Sequence, residues 1–143
     1  MIRKNILFLC TGNSARSILA EVITNLYFSK NFFAYSAGSK PSGRVNKEVS
    51  IYCKNLGYPV EKLKSKSWNI FLSENSPKIN ILITVCDRAS NEVCPFWKNS
   101  ETVFHWNLPD PVIEINRLLM QKKLDELCVE IKKRMSLLEQ EDI

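Results

Sequence analysis

The sequence is short of histidine, of long apolar runs and of internal repetition, and each shortage closes off a class of function. His105 is the only histidine in 143 residues, and no third and fourth ligands are spaced beside the cysteines, so no zinc site is expected. No stretch approaches the 18 or so uncharged apolar residues that a membrane span requires, and the run Ile6 to Cys10 is too short for the core of a secretion signal. The expected setting is the cytoplasm, without a membrane partner. There is no repeat, low-complexity tract or linker, so a single domain over 1–143 is expected. Five cysteines (Cys10, Cys53, Cys86, Cys94, Cys128) are an odd number and too few for a disulfide scaffold. In a reducing compartment such a set suggests catalysis or redox chemistry instead.

What is present describes an ordinary globular chain. Hydrophobic residues make up 45% and charged residues 24%, enough to build a core and against intrinsic disorder. The net charge of +5 is local: between Lys40 and Lys66 stand seven basic residues and two acidic ones, which accounts for the whole excess. That patch reads as a solvated face or as steering for a small anion or acidic partner. No nucleic-acid motif accompanies it, and no nucleic-acid partner is expected.

Strand and helix patterns alternate along the chain. Asn5 to Cys10 is a continuous apolar run, as in a strand buried on both faces. Ala15, Ile18, Leu19, Val22, Ile23 and Leu26 then mark one face of a helix from about Ser14 to Tyr27. Phe32 to Ser36 reads as a second strand. Asn46 is a candidate N-cap for a helix reaching Leu56, which Gly57 ends. A short helix around Trp68 to Leu72 precedes strands at Asn80 to Val85 and Thr102 to Trp106. Beyond Pro109 and Pro111, the residues Leu118, Leu119, Leu127, Ile131, Met135 and Leu138 suggest an amphipathic helix from Val112 to Glu139, with Glu130 and Arg134 as an (i, i+4) pair. Strands joined by helical crossovers imply an α/β fold with a mostly parallel sheet, whose binding site lies beyond the strands' C-terminal ends. That edge holds Cys10 to Ser17, Cys86 onward, and the loop with Asp110.

The segment Cys10-Thr11-Gly12-Asn13-Ser14-Ala15-Arg16-Ser17 leaves a buried strand and enters a helix, which makes an anion trap. Backbone amides of Thr11, Gly12, Asn13, Ser14 and Ala15 can form a nest, and the helix N-terminus adds partial positive charge. Arg16 offers a planar fork of donors suited to a tetrahedral oxyanion such as phosphate, arsenate or sulfate. Gly12 is expected to let the backbone close around it. A thiol at the mouth of such a site sees the same field, which favours its nucleophilic thiolate, and Ser17 can donate a hydrogen bond to it.

On these residues, together with Ser36-Ala37-Gly38, Ser65-Lys66-Ser67-Trp68, His105-Trp106 and Asp110-Pro111 in order, the chain resembles the low-molecular-weight protein tyrosine phosphatase superfamily over nearly its whole length. Within it, the chain is most similar to the arsenate reductases of thioredoxin-coupled type. The resemblance implies a four-stranded parallel sheet flanked by helices, with flavodoxin-like winding. It implies no cofactor, with Cys10 as nucleophile, Cys86 as resolving thiol and Cys94 as exit thiol. A thioredoxin, glutaredoxin or glutathione-type reductant would reset the pair. In the phosphatases the residue matching Asp110 is the general acid; it could serve a leaving arsenic-bound hydroxyl here, or merely cap a helix. Some relatives carry potassium near the loop, and Asn13, Glu21 and Ser36 resemble its ligands, whereas Trp68 stands where a fourth, acidic ligand is expected. Asn13 is expected to shape the loop through side-chain hydrogen bonds.

Three functions stay open on these residues: arsenate reduction, phosphomonoester hydrolysis by Cys10, Arg16 and Asp110, and non-catalytic anion binding. Hydrolysis needs no second and third thiol, which favours reduction. Ala15 also replaces the second loop cysteine usual in the phosphatases, and Val112, Ile113 and Glu114 replace the aromatic pair that follows their acid. A disulfide needs Cα atoms roughly 4.4–6.8 Å apart, whereas residues eight apart in a helix lie about 12 Å apart. A helical Cys86 to Cys94 segment would therefore unwind on oxidation. Cys53 and Cys128 fall within helices and read as core thiols, and His105 reads as a packing and hydrogen-bonding residue beside Trp106.

Overall fold

In the computed structural model, which describes residues 3–86, 102–111 and 116–141, the alternating pattern becomes four strands and three helices. β1 is Lys4–Cys10, α1 Arg16–Tyr27, β2 Phe32–Gly38, α2 Lys47–Asn55, β3 Ile81–Thr84, β4 Thr102–His105 and α3 Arg117–Glu139. The sheet order is β2-β1-β3-β4, and every neighbouring pair is parallel. The resemblance implied this winding. Cys94, and with it the expected unwinding between Cys86 and Cys94, falls on residues 87–101, which lie outside the described residues, as do Val112, Ile113 and Glu114.

β1 runs through the middle because it can be buried on both sides. Ile6, Phe8 and Cys10 join a core with residues of all three helices, while Leu7 and Leu9 pack with Ala37, Phe71, Ile79 and Leu82 on the opposite face. The period-two alternation of a strand feeds the two layers in turn. The expected short helix at Trp68 is a 3-10 turn, Trp68–Phe71, whose N-cap Ser67 accepts a bond from Asn69 N. Its Phe71 and Trp68 cover the second face.

The helices follow their punctuation. Asn46 caps α2 by accepting from Glu48 N and Val49 N at 2.9 and 3.2 Å, and Gly57 follows it with φ 95°, a left-handed turn that glycine takes without strain. α3 begins five residues later than its apolar pattern suggested. Asn116 accepts from Leu118 N and Leu119 N, and the buried stripe is Met120, Leu124, Leu127, Cys128, Ile131, Met135 and Leu138. Leu118 and Leu119, expected in the core, are 80% and 49% exposed, because the first turn sets them off the phase of that stripe. The Glu130–Arg134 pair forms, at 2.9 Å. None of the described helices is long and apolar enough to cross a membrane.

Candidate active site

The loop between β1 and α1 is held from outside by its carbonyls. Thr11 O accepts from Lys40 N at 3.0 Å, Gly12 O from Ser42 N at 3.0 Å, and Ser14 O from Asn46 N at 2.9 Å; Ser65 Oγ adds a second bond to Gly12 O. In a planar trans peptide the C=O and N–H point in opposite directions, so these contacts turn the amides of Gly12, Asn13 and Ala15 inward. Asn13 N shows that sense directly, donating to Cys10 Sγ at 3.2 Å. At the far end, α1 starts from Ala15 with no side-chain cap and no acidic residue in its first turn. Its first N–H groups and their partial positive charge are therefore left to the loop. The arrangement is a nest of donors with a thiol at its rim.

Backbone strain falls on Asn13, not on Gly12. Asn13 has φ 47° and is completely buried. Its Oδ1 accepts from Lys66 N at 2.8 Å, and because a backbone N–H only donates, that contact fixes which end of the amide is oxygen. Nδ2 then donates to Ser17 Oγ at 2.8 Å and Ser36 Oγ at 3.0 Å. Ser17 Oγ lies 3.0 Å from Cys10 Sγ; accepting from Asn13, it keeps its own hydrogen for the sulfur. The expected shaping role of Asn13 is thus visible as three hydrogen bonds. A Cβ on Gly12 would meet nothing nearer than Ser14 Oγ at 3.8 Å, so the backbone itself does not require glycine there. Gly38 is the constrained glycine: a Cβ there would lie 2.5 Å from Thr11 O.

Behind the loop, Ser36 Oγ donates to Glu21 Oε1 at 2.8 Å, so Asn13, Ser36 and Glu21 do converge. Lys66 Nζ shares the space, 3.7 Å from Glu21 Oε1 and 3.4 Å from Ser36 Oγ. Burial pushes the Glu21 carboxyl up from its ordinary value, with the Lys66 charge opposing. Burial likewise pushes the Lys66 ammonium down, with Glu21 opposing. A potassium ion would have to share one carboxylate with this ammonium, and Trp68 supplies no second negative charge. The residues present do not fit potassium.

Arg16 reaches across the sheet edge. Its Nη1 donates to Leu108 O at 3.1 Å and its Nη2 stands 3.8 Å from Asp110 Oδ2, so the loop after β4 brings Asp110 to the same site. Cys86, two residues past β3 and buried, places its Sγ 3.9 Å from Thr11 Oγ1. Cys10, Arg16, Ser17, Cys86 and Asp110 are thereby gathered at one edge. Cys53 on α2 and Cys128 on α3 are buried in the core as expected, and burial pushes the Cys53 thiol up to about 12. His105 bonds Thr84 Oγ1 through Nδ1 at 2.6 Å; it is exposed, while its neighbour Trp106 is buried. A cavity of about 290 Å³ is lined by Asp110, Lys123, Glu126, Glu130 and Arg134 among others; its three carboxylates suit an oxyanion less well than the loop. The sequence pattern reads Lys66 as one of a basic patch, solvated or steering an anion, whereas its ammonium stands 3.7 Å from Glu21; it reads Gly38 as a strand stop, whereas Gly38 is the last residue of β2; the Leu108 carbonyl leaves no sequence signal.

The family model described as low molecular weight phosphotyrosine protein phosphatase matches residues 5–141. The chain belongs to that family. Among its relatives, an arsenate reductase of Halalkalibacterium halodurans is 33% identical over 111 residues, 78% of this chain and 76% of the relative. An arsenate reductase of Brevibacillus brevis is 31% identical over 131 residues, covering 92% and 93% of the two chains. The crystal structure of an arsenate reductase from Archaeoglobus fulgidus superposes with a TM-score of 0.72 at 27% identity, over 92% of this chain and 98% of that one. Members of the phosphatase family thus include proteins named for arsenate reduction, and the loop geometry above is the part of the fold on which either chemistry would draw.

Proposed function

We propose that this protein is a cytoplasmic, thiol-dependent arsenate reductase. The observation that carries the proposal is a second thiol at the anion loop: β3 runs beside β1, and Cys86, two residues past β3, places its Sγ 3.9 Å from Oγ1 of Thr11, next in sequence to Cys10. The names of the relatives support the same substrate.

The steps follow from the chemistry of the groups. Arsenate sits in the amide nest with Arg16 across two of its oxygens. The Cys10 thiolate, held by Ser17 and Asn13 N, attacks arsenic, and a hydroxyl leaves as water with a proton from Asp110. The Cys86 thiolate then attacks Cys10 Sγ. A sulfur–sulfur bond forms, the sulfur–arsenic pair of electrons stays on arsenic, and arsenite departs. Cys94 attacks Cys86, which frees Cys10 as a thiolate and leaves a Cys86–Cys94 disulfide. A dithiol reductant of the thioredoxin or glutaredoxin kind, or glutathione, supplies two electrons to reset it.

Phosphomonoester hydrolysis by Cys10, Arg16 and Asp110 is the second reading, favoured by the Arg16–Asp110 pair. Steady-state assays of both activities on Cys10→Ser and Cys94→Ser separate them. Cys10→Ser is expected to abolish both. Cys94→Ser is expected to stop multiple turnover of arsenate and to leave aryl phosphate hydrolysis intact. Undiminished arsenate turnover in Cys94→Ser contradicts the relay.

A further inference from the structure

The network behind the loop contains a buried carboxylate whose charge the mechanism does not use. Glu21 is 7% exposed, and a buried carboxylate stays ionised only with a partner of opposite charge. Lys66 is held at three points besides that carboxylate, one on the loop, one on β2 and one on its own segment: its N donates to Asn13 Oδ1, its O accepts from Gly38 N at 2.9 Å, and its ammonium donates to Lys64 O at 2.9 Å. The ammonium therefore stands among three oxygens, those of Glu21, Ser36 and Lys64, at a position fixed by the residues that shape the loop. We infer that Lys66 is the resident cation of this network, its ammonium occupying the place of a free alkali ion and making the loop's architecture independent of potassium.

The charge count gives the reason. One carboxylate and one ammonium balance, and a potassium ion entering beside Lys66 would face a like charge at close range with no second carboxylate among the described residues there to offset it. The same position read through Ser36 and Asn13 leads to Ser17 and Cys10, so Lys66 is a positioning residue for the nucleophile.

Thermal melting in choline, sodium and potassium chloride at equal ionic strength tests this without any substrate. Wild type is expected to melt at the same temperature in all three. Lys66→Met is expected to melt lower in choline and to recover with potassium along a saturating curve, by about 5 °C. Lys66→Arg is expected to behave as wild type. A saturable potassium response in wild type overturns the inference, and so does a Lys66→Met protein that responds to alkali ions no more than wild type. Should Lys66→Met fail to fold in choline, the Glu21→Gln, Lys66→Met double variant decides: folding with no potassium response supports Lys66 as the cation, and failure to fold overturns it.

Discussion

Replacing Asn13 by alanine removes a fully buried side chain that makes three hydrogen bonds and leaves a Cβ-bearing residue without side-chain support at φ 47°. Each neutral hydrogen bond contributes about 1 kcal/mol net, and a buried N–H such as that of Lys66 left without an acceptor costs about 1–3 kcal/mol. Alanine in the left-handed region adds about 1 kcal/mol. The expected loss is about 3–5 kcal/mol, or a melting temperature lower by about 10–15 °C for a chain of this size. Asn13→Gly loses the same bonds but relieves the backbone, so it is expected to melt above Asn13→Ala by about 2 °C. With Ser17 no longer held, alkylation of Cys10 by iodoacetamide at neutral pH is expected to slow about fivefold in both. Calorimetry and a labelling time course read these quantities. An Asn13→Ala protein melting within about 3 °C of wild type, or a glycine variant no more stable than the alanine one, refutes the assignment of strain and hydrogen bonding to this residue.

Gly38→Ala forces a methyl to 2.5 Å from Thr11 O and is expected to cost about 1–3 kcal/mol by overpacking, whereas Gly12→Ala is expected to melt close to wild type; the reverse order in a thermal scan contradicts the placement of close contact at Gly38. Cys53 has a folded value near 12 against an ordinary 9.0, so its neutral thiol is the form the fold favours. Its contribution to stability is complete below about pH 9 and is lost as pH rises toward 12, by about 1.4 kcal/mol per unit. In native protein at pH 8, mass spectrometry is expected to find iodoacetamide on Cys10 and not on Cys53; equal labelling contradicts the burial argument.

Those residues also mark how far the sequence could be read. The alternation of strands and helices was legible because Ile6 to Cys10 is apolar without a break and the helices carry their own punctuation, Asn46 and Gly57 among it, whereas the winding came from the family resemblance. The anion loop was legible because Cys10, Arg16 and Ser17 act within a few residues of one another. What escaped reading depends on contacts between distant segments. Gly38 is needed because Thr11 O passes beside it, and Lys66 matters because the turn before Trp68 lies against β2 at Gly38; neither fact is local. Gly12 was assigned the flexibility that the fold places at Asn13, since a left-handed asparagine supported by tertiary hydrogen bonds has the same local sequence as an ordinary loop residue. The apolar pattern likewise misassigned Leu118 and Leu119, because periodicity does not say where Asn116 begins the helix.

The measurement closest to the proposed chemistry is a single turnover without reductant. Fully reduced protein is incubated with excess arsenate, quenched by acid and alkylation, and its disulfides are mapped by mass spectrometry alongside a determination of arsenite. One arsenite per chain with a Cys86–Cys94 bridge is the expected result. No bridge and no arsenite, with steady release of phosphate from an aryl phosphate by the same preparation, contradicts the reductase and assigns Cys10, Arg16 and Asp110 to hydrolysis.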